Sequence, residues 1–431
     1  MIWIYRILFP VVMLVLSPYY VWRMRRRGGY MRGFSHRFGA PPPIAPRKEG
    51  VRRLWLQAVS VGEMLAIEPI LRALSAEGTE VVLTTTTSTG YRLAQDRYLR
   101  LVSAVGYFPI DWAPFSARAW ERFQPDLAVI TEGERWPEHL RQAANRGVPV
   151  LCINARISDR SFSRLRRFPF LGRFVTQGIT RILAASARDA ERFWSLGYPP
   201  ERVEVTGNIK LDVSIPILAG EALAELRKGL GLAAGPLVIL GSSTWPGEEQ
   251  ALLDTLVAAR AKGIRCSLLL VPRHAERRFE VEKLLKGSGL SYHFRSKGTA
   301  PGEVDIAVGD TTGELRMLTQ LADLVFVGKS LSPHEGGQTP VEAASLGKAL
   351  LFGPNMGNFR TIEGDLVARG AGRTVADAPA LLRECVSLLS NPREREAMAA
   401  AAARWRADNG GGVERTLSAI RREFANINKA R

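Results

Sequence analysis

Cysteine is scarce: three residues in 431, Cys152, Cys266 and Cys385, none in a CxxC spacing. That excludes a disulfide framework, a dithiol redox site and a cysteine-held zinc ion. The five histidines, His36, His139, His274, His293 and His334, contain no HxxxH pair, so no zinc-hydrolase signature is present. Acidic residues are also in deficit, with 42 Asp and Glu against 59 Lys and Arg and a formal net charge of +17. Residues 1–50 hold one acid, Glu49, against Arg6, Arg23, Arg25, Arg26, Arg27, Arg32, Arg37, Arg47 and Lys48. From Arg160 to Arg188 there are seven arginines and no acid, interleaved with Phe162, Phe168, Phe170 and Phe174. Such surfaces suit phosphate-bearing partners: nucleic acid, an anionic membrane or a phosphorylated lipid. Hydrophobic residues (46%) and charged residues (23%) stand near globular averages, so neither a disordered chain nor a polytopic membrane protein fits.

The N-terminus separates these partners. Residues 7–22, ILFPVVMLVLSPYYVW, carry no charge. As a helix they extend ~24 Å, a little short of a ~30 Å hydrocarbon core, and Pro10 and Pro18 would bend it. Tyr19, Tyr20 and Trp22 suit a membrane interface, and the arginines of 23–27 follow directly. Residues 1–27 are therefore expected to form a membrane anchor with a basic flank on the cytoplasmic side, at the inner (plasma) membrane. No small-residue cleavage site follows, which disfavours a removed signal peptide. The other reading is a helix packed on the protein itself. Nucleic acid would explain the charge but not the apolar run, and no nucleic-acid motif appears; the anionic inner membrane explains both.

A chain of this length accommodates two domains. Apolar, β-rich runs alternate with amphipathic helical patterns, which predicts an α/β fold with open, parallel, doubly wound sheets. Strands are expected at 54–59, 81–85, 127–131, 148–153 and 181–184, with helices at 62–75 and 136–146. After residues 212–236, rich in Pro and Gly, the alternation restarts with strands at 237–240, 267–271, 324–327 and 349–352. Helices follow at 248–261, 275–286, 313–322, 340–346 and 378–389. The expected layout is a first domain over 36–212, a linker over 213–236, a second domain over 237–405 and a helical tail over 406–431. Two such sheets facing one another enclose a cleft at their strand C-termini, where ligands bind in this fold class.

The residues at those strand ends carry the chemistry. Ser60-Val61-Gly62-Glu63 reads as a capping box, or as a carboxylate at a helix start, kept ionised by the dipole and acting as general base. The run Thr84–Gly90 is a polar turn or a surface for a hydroxylated ligand. Thr131 and Glu134 form a second possible capping box, which leaves Glu132 as a strand-end acid without a structural purpose. Arg156, after the next strand, serves a surface ion pair or a ligand. In the second half, Gly241-Ser242-Ser243-Thr244 joins a strand to a helix, a geometry that holds phosphate on backbone amides. Arg273 and His274 follow the next strand and offer a planar fork and a donor. Gly336-Gly337-Gln338-Thr339-Pro340 opens a helix with amides expected to be free for an anion. Glu342, on that helix, is placed to accept from two ribose hydroxyls. Three anion-capable turns at successive strand ends point to a nucleotide.

Together these segments resemble the Kdo transferases of lipopolysaccharide synthesis, where Kdo is 3-deoxy-D-manno-octulosonic acid. The matching stretches are SVGE (60–63), TEGERWP (131–137), NARISDRSF (154–162), GNIKLD (207–212), GEE (247–249), VPRHAER (271–277), DTTGEL (310–315), GGQTPVEAA (336–344) and GP (353–354). They occur in family order. Departures are GSSTWPGEE, with Trp245 near an expected His; Gln338-Thr339 where GGHN is usual; and Gly133, Arg135 and Glu138 within an ETELWPN-like segment. The resemblance implies a GT-B architecture of two Rossmann-like domains, CMP-Kdo as donor substrate, a phosphorylated lipid A precursor as acceptor, inversion at the anomeric carbon, and neither a resident cofactor nor a metal. Glu63 would be the base. Glu132, Glu134 and Arg156 would lie on the acceptor side. Ser242, Ser243, Arg273, His274, Gly336, Gly337, Gln338 and Glu342 would hold the nucleotide, and Arg156 and Lys210 would meet the sugar carboxylate. Two alternatives remain at this point: a related GT-B transferase using another nucleotide sugar, suggested by Gln338-Thr339, and a non-catalytic membrane-bound binding protein in which Glu63 is only a cap.

Overall fold

The computed structural model describes residues 1–27, 32–40, 42–133, 135–212 and 215–430. Contacts divide the chain into two units: residues 1–212 with 410–431, and residues 213–409.

The first unit is built on seven parallel strands: β1 (Arg53–Gln57), β2 (Glu80–Thr85), β3 (Ala104–Tyr107), β4 (Leu127–Thr131), β5 (Val150–Ala155), β6 (Arg181–Ala184) and β7 (Val203–Val205). Their order across the sheet is β3-β2-β1-β4-β5-β6-β7. Successive side chains of a strand point to opposite faces, and the core follows that rule. Leu54 and Leu56 of β1 pack with Met64, Ile67, Ile70 and Leu71 of helix Val61–Ala76. Trp55, between them, packs on the other face with Trp120 and Phe123 of helix Ala113–Phe123. Both faces are covered, so the central strands read as continuous apolar runs. The helix Gly412–Ala430 adds Leu417, Ile420 and Phe424 to the first of these faces.

The second unit has β8 (Leu237–Thr244), β9 (Cys266–Pro272), β10 (Tyr292–Phe294), β11 (Ile306–Val308), β12 (Leu324–Val327), β13 (Ala349–Phe352) and β14 (Gly372–Thr374), all parallel. The order is β10-β11-β9-β8-β12-β13-β14. Helices Glu248–Ala261 and Ala378–Ser390 cover one face through Leu252, Leu256, Leu381 and Leu388.

Residues 213–236 do more than connect. They contain helix Gly220–Gly229, whose Leu226 is buried, and they belong to the second unit. The helical tail is not one piece: helix Pro392–Asn409 stays with the second unit, through the buried Met398 and Trp405, while residues 410–431 return to the first. The N-terminal helix spans Ile2–Arg27, and its Ile2–Trp22 stretch has a mean hydropathy of 1.7 and none of it is buried.

Candidate functional site

In the first unit the topological switch lies between β1 and β4, which run in opposite directions of strand order from the centre. Glu63 stands there. Ser60 is the N-cap of helix Val61–Ala76 and its hydroxyl accepts from the Glu63 amide at 3.3 Å, so the capping box is real. The Glu63 carboxylate also leaves its own turn. It accepts from the Val59 amide at 3.0 Å and the Ser60 hydroxyl at 2.9 Å, and Thr131, at the end of β4, donates a hydroxyl to Oε2. The side chain is 8% exposed. A carboxylate held by three donors at a helix start is fixed in direction.

Thr131 therefore does not cap the following helix. That helix begins at Pro137, after Trp136, without a side-chain cap bond. Glu134 lies outside the described residues. Glu132 sits in a left-handed conformation (φ 54°), and its carboxylate pairs with Lys210 and lies 3.4 Å from Asn154 Nδ2. Asn154 Oδ1 in turn accepts from the Ile209 amide at 3.1 Å. The ends of β4 and β5 and the turn after β7 are thus tied into one polar group. Lys210, expected to meet a sugar carboxylate, has Glu132 as its neighbour. Arg156 is exposed, with no carboxylate partner among the described residues. In the run Thr84–Gly90, the hydroxyls of Thr85 and Thr87 donate to Val59 O at 3.0 and 2.9 Å, and Thr87 caps helix Ser88–Tyr98; this is the polar-turn reading.

In the second unit the switch lies between β8 and β12. Ser242 and Ser243 are buried at the end of β8, Ser243 with φ 55°. Arg273 follows β9; its amide donates to Thr244 O at 3.1 Å and its side chain is exposed, with no ion pair among the described residues. His274 stacks edge-on to Trp245 at 5.5 Å. Glu342 lies on a helix of only five residues, Val341–Ser345. Its Oε2 is buried without a hydrogen-bond partner and its Oε1 lies 3.6 Å from Arg316. A buried acceptor without a donor is costly unless a ligand supplies one, and a ribose hydroxyl has the right chemistry.

The glycine-rich turn requires a correction. The amides of Gly337 and Gln338 donate to Lys329 O and Gly328 O, both at 3.0 Å, so they are not available to an anion. The turn is zipped to the loop after β12. Gly328 is itself pressed against the end of β8: a Cβ there would sit 2.5 Å from Ser243 O.

Several site residues were not found from sequence. Glu248 is 1% exposed, and its carboxylate accepts from the amides of Trp245, Lys329, Ser330 and Leu331 at 2.8–3.2 Å. One buried acid thus shapes the loops after β8 and β12 together. Burial pushes its pKa up and the four amides work against that rise. Lys329, in a left-handed conformation (φ 58°), places Nζ 4.8 Å from the Trp245 ring centre. The GEE motif was the available signal for Glu248; nothing in the spacing pointed to Lys329.

Each unit is a doubly wound, Rossmann-like domain with its polar groups at a switch point, and two such domains in one chain make the GT-B architecture. The same fold occurs in a UDP-GlcNAc 2-epimerase from Neisseria meningitidis, with a TM-score of 0.54 at 15% identity, covering 87% of this chain and 100% of that one. That likeness is of fold alone. Sequence is more specific. Residues 32–213 match the family described as 3-deoxy-D-manno-octulosonic-acid transferase (kdotransferase). The chain is 34% identical to the 3-deoxy-D-manno-octulosonic acid transferase of Bordetella pertussis over 421 residues, 93% of this chain and 94% of the relative. With that of Haemophilus influenzae the identity is 32% over 412 residues, 94% and 92% of the two chains. The chain belongs to the 3-deoxy-D-manno-octulosonic acid transferase family.

Proposed function

We propose that this enzyme moves Kdo from CMP-Kdo to a lipid A precursor such as lipid IVA, in lipopolysaccharide biosynthesis, at the cytoplasmic face of the inner membrane. The observation that carries the reading is the likeness to Kdo transferases over more than nine-tenths of the chain. The chemistry at the two switch points supports it. The first unit supplies the base: the Glu63 carboxylate takes the proton of the acceptor hydroxyl as that oxygen attacks the anomeric carbon. The new C–O bond forms on the face opposite the departing phosphate, so the configuration inverts. The electron pair of the broken bond leaves with CMP, and Glu63 returns its proton to water. The second unit supplies the nucleotide site. Arg273 and Lys329 offset the charge that grows on the phosphate, and Glu342 Oε2 accepts from the ribose. Two cations suffice for a monophosphate leaving group, so the step proceeds without a divalent metal. Glu132, Lys210 and Asn154 form the acceptor-side polar group, and the exposed Arg156 directly after β5 adds a cation on that side. The apolar helix Ile2–Arg27 and the cationic, phenylalanine-bearing segment 160–188 suit an acceptor embedded in an anionic membrane.

Incubation with CMP-Kdo and lipid IVA, followed by mass spectrometry, tests this directly. The expected product is lipid IVA heavier by one or more Kdo residues. Transfer from a UDP-sugar with none from CMP-Kdo overturns the donor assignment.

A further inference from the structure

The N-terminal helix does not project freely. Its first turn is seated in a polar socket of the first unit. Arg6 makes a two-pronged ion pair with Glu138, Nε to Oε2 and Nη2 to Oε1, both at 2.8 Å. Tyr5 donates its hydroxyl to Asp111 at 2.7 Å, and Trp112 Nε1 donates to Arg6 O at 3.1 Å. Both carboxylates are fully buried. Asp111 also accepts from the Glu138 and His139 amides, at 3.2 and 2.8 Å. Glu138 is one of the departures from the ETELWPN-like pattern, standing where that pattern has Asn. Without Arg6 it would be a buried anion beside a second one, which is strongly unfavourable.

The chain is fixed to the same unit again just beyond the helix. Arg37 donates to Thr86 O at 2.5 Å, and the Ile110 amide donates to Arg37 O at 2.9 Å. From Arg6 to Arg27 the helix rises ~31 Å, enough to cross a ~30 Å hydrocarbon core. A crossing helix with Arg6 still seated would put Arg27 on the far side of the bilayer. The chain from Arg27 to Phe34 reaches at most ~25 Å, and it would have to return through lipid without helical hydrogen bonds, which the hydrocarbon forbids. A crossing in the other sense would pull Arg6 away from Glu138.

We infer that the helix Ile2–Arg27 does not span the membrane but lies within a single leaflet, clamped at its start by Arg6 in the Glu138–Asp111 socket. The occupant of its outer face is lipid. Ile4, Ile7, Leu14 and Val15 are each more than 60% exposed, and the sequence at the other end of the helix carries an arginine cluster of the composition that suits anionic headgroups. The clamp sets how the first unit stands on the membrane surface, and with it the height at which Glu63 meets a lipid-borne hydroxyl.

The inference rests on the membrane-enzyme reading, but its test needs no sugar transfer, so the two fail separately. Cys152, Cys266 and Cys385 are all buried, which lets an introduced thiol be followed alone. Ile4→Cys and Arg25→Cys proteins, with one thiol at each end of the helix, are each added to preformed phosphatidylcholine–phosphatidylglycerol vesicles holding an impermeant maleimide in their lumen. A leaflet-bound helix gives no lumenal labelling; labelling from the lumen overturns the inference. A second measurement probes the clamp in the same vesicles. Arg6→Met should lower the melting temperature by roughly 10 °C, because it strands Glu138. Arg6→Met with Glu138→Gln should recover most of that loss. Additive effects, with no recovery in the double variant, overturn the clamp.

Discussion

Glu63→Gln separates a cap from a catalyst, because the two roles predict effects of different size. As a cap, the carboxylate holds the Val59 amide and the Ser60 and Thr131 hydroxyls. The amide of Gln keeps one oxygen acceptor and sets an NH2 against donors, so one or two charge-assisted bonds are lost. That costs about 2 kcal/mol of stability. A domain stable by ~5–15 kcal/mol remains essentially all folded after such a loss, so turnover would fall by no more than a few-fold on that account. As the general base, the same carboxylate takes the acceptor proton, and its removal lowers the rate ~10²–10⁴-fold. The assay is transfer of Kdo to lipid IVA at saturating CMP-Kdo, with thermal melting and CMP affinity measured on the same preparation. The expected result is a small drop in melting temperature, unchanged CMP affinity and a kcat at least ~100-fold lower. A variant that melts a few degrees lower but retains kcat within ~10-fold of the parent would refute the catalytic role.

Arg273→Ala should weaken CMP binding and lower turnover together, by about 10-fold or more, since it removes a charge-assisted contact to phosphate; unchanged affinity in calorimetry would move the phosphate site elsewhere. Glu248→Gln should lower the melting temperature and also weaken CMP binding, because four amides of the loops carrying Trp245 and Lys329 lose their common acceptor; an unaltered nucleotide affinity would separate those loops from the donor site. Activity should persist in EDTA, and strict dependence on added Mg²⁺ would contradict the assigned leaving-group chemistry. His139 gives a pH signature. Burial holds its folded-state pKa down at about 4, and Trp120 Nε1 and Pro109 O fix the neutral ring, with Nδ1 as acceptor and Nε2 as donor. The stability this neutral ring contributes is complete above pH ~6.5 and is lost as pH falls toward 4, about 3 kcal/mol in all. Asp111, raised to about 6 by burial, acts in the opposite sense over the same range. His139→Gln should therefore gain on the parent by about 3 kcal/mol between pH 7 and 4 in denaturant titrations; a pH-independent difference would show that His139 does not titrate there.

What could be read from the chain follows from packing. Strands β4, β6, β12 and β13 match their expected bounds, because each is buried on both faces and appears as an unbroken apolar run. β3, β7, β10, β11 and β14 were missed. All five have only three or four residues, and all but β11 are sheet edges; strands so short carry too little pattern to detect. The capping box at Ser60 and Glu63 is a local feature and could be read. The Thr131 hydroxyl on Glu63, the Glu132–Lys210 pair and the Arg6–Glu138 pair join residues far apart in sequence, and only the parallel topology brings them together. The turn Gly336–Gln338 misled for the same reason: its local chemistry is that of an anion cradle, but the partner of its amides is a loop on another strand.

The return of residues 410–431 to the first unit has a consequence for how the protein is made. Leu417, Ile420 and Phe424 fill the same core face as β1 and helix Val61–Ala76. On the ribosome those three side chains emerge only after the whole of residues 213–409. The second unit is therefore free to close while the first still waits with an open apolar face, and the first domain to be translated is the last to be finished. A fragment ending at Asp212 would be permanently in that waiting state, and it should need a chaperone, or the missing helix Gly412–Ala430 supplied as a separate peptide, to stay in solution.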